Sequence, residues 1–224
     1  MKSPSTYVHV KQLTFCQRIA DRARDGYVSY TQGRCPAHRF GSLTQKFQRI
    51  YDVNQDKDRR FRTRKEGGAV YSLVAYQVES DDSAEVHWVL MKTAGKPALA
   101  ADPREVWHDL TVKRLIVFDR FELCRHTRKD MSHPSWSWRL HKEMFEKTRM
   151  LIIAMIRRRS DRDLAKLIQS LHTAPKFALI RDQLGQLHKL IEAEWKRSRS
   201  SGEVPPALPR IGYTRRVKDR VRKI

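Results

Sequence analysis

Three apolar-periodic segments, separated by two breaks, fill residues 134–199. Such faces become stable only when buried against one another or against a sheet. Leu140, Met144, Leu151 and Met155 recur at helical spacing, with Phe145, Ile152 and Ile156 beside them in a wide stripe. Arg157, Arg158 and Arg159 follow, at the helix end where the dipole favours cations. Ser160 with Asp163 approximates a capping box, and Asp161 adds an acid that a helix start favours. Leu164, Leu167, Ile168 and Leu171 repeat the i, i+3, i+4, i+7 pattern until Pro175 breaks it. Phe177, Ile180, Leu184, Leu187, Ile191 and Trp195 carry a third helix to about residue 199. The pattern predicts a three-helix bundle with a basic exterior.

The chain before this stretch reads as mixed. Val10, Leu13, Phe15 and Ile19 predict a helix within residues 7–25, ended by Gly26. Residues 27–42, with Gly33, Pro36 and Gly41, read as loop or short strand. Residues 69–78 and 86–92 are rich in Val, Tyr, Leu and Trp around Asp81-Asp82-Ser83, the signature of an antiparallel hairpin. Asp102-Pro103-Arg104 opens a turn or short helix through Val106 and Trp107, and residues 112–126 form the longest strand candidate. The expected fold class is α+β. A small antiparallel sheet of residues about 69–126 lies in an N-terminal part, 1–132; the bundle takes 133–199 and a basic tail 200–224. Ser, Gly and three prolines between residues 198 and 209 give the tail a linker composition, predicting a segment that orders only on an anionic surface.

Charge narrows the partner. Lys and Arg number 46 against 25 acids, a net charge of +21 with a pI near 10.3. The excess is +8 over residues 1–138, +8 over 139–199 and +5 over 200–224, so fold and tail share it. Charge this one-sided costs self-repulsion that an anionic partner relieves, and nucleic acid is the first candidate. At 40% apolar the chain is not disordered throughout. No apolar run is long enough to span a bilayer, and the N-terminus has no apolar signal core. Cys16, Cys35 and Cys124 are odd in number and widely spaced, which predicts a reducing cytoplasm rather than a disulfide framework.

Four stretches are candidate contacts. The first lies in the basic, aromatic-interleaved region 39–65: Arg59, Arg60, Phe61, Arg62, Arg64 and Lys65. Cations there would meet phosphates and an aromatic face could stack on a base. Phe47 and Tyr51 read as core; Phe61, with no apolar neighbour, reads as a partner contact. The second is the basic loop and its flank: Arg125, Arg128, Lys129, Trp136 and Arg139. Here Trp138 is expected in the core and Trp136 toward the partner. Arg157, Arg158 and Arg159 are the third. The tail residues Arg210, Arg215, Arg216, Lys218, Arg220 and Arg222 are the fourth.

Catalytic motifs are sparse. Asp81, Asp82 and Glu85 near Lys92 have the residue types of a metal-dependent nuclease, but Glu85-Val86-His87 has the wrong spacing. Asp119 and Glu122 read as ion-pair partners of Arg114 or Arg120. Cys35 with His38 and Cys124 with His126 have the residue types of zinc ligands, but Cys-x-His chelates poorly. No Gly-rich phosphate loop, nucleophile elbow or dinucleotide fingerprint occurs. No cofactor is expected, and no motif ties the chain to a family. The expected function is non-catalytic nucleic-acid binding, as a subunit of a nucleoprotein complex. Settings that fit are mobile-element DNA handling, a CRISPR-type effector or a ribosome-associated role. The alternatives are a nucleic-acid-processing enzyme and a protein-interaction factor docking on an acidic partner.

Overall fold

A computed structural model describes residues 7–78, 84–98, 105–127, 132–218 and 221–223, and the side chains of all these but Lys223. It has six helices and two sheets, and the chain divides into two compact units. One comprises residues 1–115 and 216–224, the other 116–215. The formal charge is split between them: 25 basic and 14 acidic residues give +11, and 21 and 11 give +10. Neither unit alone accounts for the basic character. The division falls at residue 115, upstream of the expected boundary at 132.

The first unit begins with β1 (Tyr7–His9) and α1 (Gln12–Arg24). Phe15, Cys16, Ile19, Ala20 and Ala23 form the buried stripe of α1. Gly26, at φ +86°, then turns the chain through a conformation that side chains disfavour. β2 (Tyr27–Pro36) leads into α2 (Ala37–Tyr51) and α3 (Lys57–Lys65). The hairpin β3 (Tyr71–Val78) and β4 (Glu85–Thr93) follows, as expected, and β5 (His108–Asp109) closes this part. β3 pairs antiparallel with β4 from Tyr71↔Lys92 to Val78↔Glu85.

Within the stretch read as loop or short strand, residues 27–36 take the strand alternative and make it long. They are a ten-residue strand paired along β4, with Gly33 directly opposite Trp88. Gly33 is no turn residue: a Cβ there would lie 2.6 Å from the Trp88 indole, so the glycine makes room for the ring.

The sheet is covered on both faces, as the nearly continuous burial along β3 requires. Phe15 of α1 meets Tyr76 at 6.0 Å on one face. On the other face Phe47 and Tyr51 of α2 cluster with Tyr71 and Leu90. Phe47 and Tyr51 are thus core, as their spacing predicts.

The second unit opens with β6 (Ile116–Val117), β7 (Phe121–His126) and β8 (Ser135–Leu140), a three-stranded antiparallel sheet in that order. The long strand expected over 112–126 is therefore broken. Phe118 and Asp119 both take positive φ, 56° and 50°, and reverse the chain without a glycine. Glu122 is buried and pairs with Arg139 across the β7–β8 ladder.

Three helices complete this unit: α4 (Lys142–Arg157), α5 (Asp161–Thr173) and α6 (Ala178–Ser198). α4 packs on α5 and α6, and α6 also packs on β8. Leu164, Ile168 and Leu171 of α5 and Ile180, Leu184, Leu187, Ile191 and Trp195 of α6 are buried as their periodicity predicts. In α4 the buried side is Thr148, Ile152 and Ile156, while Met144 and Leu151 face solvent and Leu140 belongs to β8. Ser160 makes no side-chain cap; Asp161 instead pairs with Arg199, whose side chain is 1% exposed and lies over Trp195.

Between α5 and α6, His172 and His188 stack with their Nε2 atoms 2.9 Å apart. Burial, then His188 and Lys176, hold His172 below its ordinary pKa; burial lowers His188 against the opposing pull of Glu192. The folded chain thus binds fewer protons than the unfolded chain once pH drops toward the ordinary value of 6.5. Stability from this pair is present above that value and is lost as pH falls through it. Urea unfolding is expected to shift to lower urea between about pH 7.5 and pH 5.5. His172→Asn should shrink that shift, and an unchanged shift would remove the pair as its source.

The last residues return to the first unit. β9 (Val221–Lys223) pairs antiparallel with β1, giving a mixed six-stranded sheet ordered β5-β2-β4-β3-β1-β9. Arg216 pairs with Asp21 at 2.8 Å, and Val217 N–H donates to the Gln17 side chain at 3.1 Å. Upstream, Trp195 Nε1 donates to the Glu203 carbonyl, and Arg181 lies 3.9 Å from the Tyr213 ring centroid. Described residues of the expected free tail therefore hydrogen-bond to the fold, and the N-terminal sheet is larger than expected. The linker composition misled because backbone pairing to a sheet edge needs few apolar side chains. Deleting residues 216–224 is expected to cost about 1–3 kcal/mol, a few net hydrogen bonds, in urea unfolding. No measurable loss would show that the strand contributes nothing.

Candidate nucleic-acid interface

α3 is the most basic element, Lys-Asp-Arg-Arg-Phe-Arg-Thr-Arg-Lys, and none of its residues is buried. The Asp56 carboxylate caps it, accepting from Arg59 N–H at 2.7 Å. Asp58 in the first turn and Arg62, Arg64 and Lys65 in the last complement the helix dipole.

Because α3 has no apolar face, other contacts hold it. Arg59 pairs with Asp52 at 2.8 Å, and Arg60 Nε donates to the Asp56 carbonyl. Thr63 lies against Gly68, where a Cβ would come within 2.9 Å of its methyl. The Arg64 guanidinium stacks 5.7 Å from the Tyr27 ring centroid and donates to the Asp25 carbonyl; Arg22 approaches the same ring at 5.8 Å. The sequence reading missed this Arg22–Tyr27–Arg64 arrangement, because its members are far apart and each is ordinary alone.

These anchors leave Phe61, Arg62 and Lys65 on the outer side. Phe61 is 67% exposed. The side chains of Arg62, Lys65 and Lys57 carry no ion pair or hydrogen bond among the described residues. An aromatic ring beside unpaired cations can meet a base face and its phosphates together.

The other candidate residues are dispersed or engaged. In the second unit Arg125 and Trp136 are cross-strand neighbours, with Arg125 exposed and Trp136 half-buried. Trp138, two residues on, is fully buried, as expected. Arg128 and Lys129 lie outside the described residues, as do Arg220 and the acids Asp81 and Asp82. Arg139 is held by Glu122. Arg157 pairs with Glu194 at 2.7 Å and Arg159 with Glu203 at 3.1 Å, leaving Arg158 as the unpaired member of that triplet among the described residues. These acids sit far along the sequence, so their pairing left no local pattern to read. In the tail, Arg210 and Lys218 are exposed, Arg215 is exposed but not without contacts, and Arg216 and Arg222 donate to Asp21 and Gln77.

Among the described residues the candidate metal and nuclease side chains form no metal-holding group. Cys35 and His38 lie in the first unit, Cys124 and His126 in the second. Burial, then the Glu85 charge, raises the Cys35 thiol above its ordinary pKa. Cys124 Sγ is directed at Glu122. Glu85 Oε2 lies 3.3 Å from His87 Nε2, while Lys92 lies over the Trp107 ring at 4.5 Å and burial lowers its pKa. Among the described residues no group of three or more His, Cys, Asp or Glu side chains could hold a metal ion. Nor is any described helix long and apolar enough to cross a membrane.

No protein-family model, no curated protein and no solved structure matches this chain.

Proposed function

We propose that this chain is a non-catalytic nucleic-acid-binding protein, a subunit of a nucleoprotein complex that contacts mainly phosphates through α3. The observation that carries the reading is an exposed phenylalanine on a helix with six basic residues and no buried one. An apolar ring in that position has no folding role to explain it, whereas a strand offers it a base to stack on. Net positive charge on both units supports an extended polyanion as partner. Arg125, Arg158, Arg210 and Lys218 add exposed charge outside α3.

Phe61→Ala is expected to weaken single-stranded oligonucleotide binding by about 1–3 kcal/mol while leaving urea unfolding unchanged. Fluorescence anisotropy at fixed salt measures the first and circular dichroism the second. Unchanged affinity would leave Phe61 without the assigned role. The nucleic acid that copurifies, digested separately with DNase and RNase, distinguishes DNA from RNA.

One observation favours a second reading, a protein-interaction factor. Met150 and Leu151 of α4 are 66% and 48% exposed and, with Ala154, line an apolar groove edged by Glu143, Glu146 and Lys147. Exposed apolar surface of this kind can seat a protein partner.

A further inference from the structure

In the first unit a cleft of about 550 Å³ opens between β2, α2, Trp88 of β4 and residues 105–113. Its volume is in the range of small-molecule sites. Trp88, partly exposed, is its main aromatic face: it stands edge-to-face with the buried Phe47 at 5.2 Å, while the buried Tyr30 meets the His108 ring at 5.5 Å.

The polar groups divide into two kinds. Lys113 Nζ lies 3.3 Å from His108 Nε2, and no carboxylate pairs with it among the described residues. An ammonium has three donors, so two remain for the oxygens of an anion. β5 pairs with β2, and Lys113 N–H donates to the Asp109 carbonyl at 2.8 Å, so the backbone holds both residues in place. The second kind is an acceptor. The Glu105 carboxylate takes a hydrogen bond from Tyr51 and an ion pair from Lys46 at 2.8 Å. An ionised carboxylate accepts about four bonds, so Glu105 keeps capacity for an amino group.

We infer that this cleft binds one nucleotide, its base against Trp88, its phosphate at Lys113, and Glu105 accepting from the base. The inference rests on the nucleic-acid reading, since the nucleotide is taken as one unit of a bound strand. A planar ring suits the Trp88 face, an anion suits Lys113, and a hydrogen-bond donor on the base suits Glu105. A bare phosphate would use only Lys113, and an uncharged aromatic would leave that ammonium unused.

The test titrates the full chain with adenosine 5′-monophosphate, adenosine and inorganic phosphate, followed by calorimetry and tryptophan fluorescence. The monophosphate is expected to bind at least about tenfold more tightly than either fragment and to quench fluorescence. Lys113→Glu and Val106→Trp are each expected to weaken it by about tenfold or more. Val106 lines the cleft and is 64% exposed, so a larger side chain there obstructs the cleft without entering the core. Urea unfolding should be unchanged in both variants. No binding of the monophosphate, equal binding of inorganic phosphate, or indifference to both variants would overturn the assignment. If oligonucleotides bind with strong salt dependence while the monophosphate does not, the cleft inference falls and the strand-binding reading stands. If the monophosphate binds and oligonucleotides do not, the cleft remains a nucleotide site and the α3 reading falls.

Discussion

Trp138→Ala is expected to lower the unfolding free energy by about 3–5 kcal/mol, the cost of removing a large aromatic side chain from a closed core. Trp138 is fully buried on β8, directly across from Leu123 and two residues before Leu140, both also buried. The strand that carries it joins β7 on one side and packs on α6, so the indole helps to fix sheet to helix. A sheet of three strands has little other area against which to bury a helix, and a cavity there cannot close without moving β8. Trp136 lies on the same strand face but is only half-buried, so Trp136→Ala should cost clearly less. Urea unfolding followed by circular dichroism measures both. Equal losses, or a loss below about 1 kcal/mol for Trp138, would contradict the packing assigned to β8.

The helices of the second unit were legible because their apolar residues recur at 3.6-residue spacing, and Ile180 to Trp195 is buried as read. α4 shows the limit of that signal. Its apolar residues circle most of the helix, so periodicity could not say that Ile152 and Ile156 turn inward while Met150 and Leu151 turn out. The break between β6 and β7 was illegible for another reason. Phe118 and Asp119 reverse the chain at positive φ, and sequence rules, which admit glycine, asparagine or aspartate there, do not anticipate a phenylalanine. Gly33 misled in the opposite sense, because its turn signal conceals a strand position that must accept the Trp88 ring. The tail was misread since β9 joins the sheet through backbone groups, which composition does not register. At the candidate site, Phe61 stood out as an aromatic without apolar neighbours, and it is exposed. What could not be read was which arginines are already paired. Arg139, Arg157 and Arg159 answer to acids 17, 37 and 44 residues away.

Binding to a long oligonucleotide is expected to fall roughly 10²–10⁴-fold between about 50 and 200 mM salt, if about 5–8 phosphates are neutralised. That corresponds to a slope of log affinity on log salt of roughly −4 to −7. The share due to α3 can be isolated, because Lys57, Arg62 and Lys65 have no side-chain partner among the described residues and α3 buries nothing. Alanine at all three positions removes charge without opening a cavity, and alanine favours helix. The decisive measurement is therefore the salt titration of the full chain beside this triple variant. If α3 meets the phosphates, the wild-type slope is steep and the variant slope is smaller in magnitude by about 3, one for each phosphate left without its cation. A wild-type slope near zero, or a variant that follows the wild-type line, would contradict it.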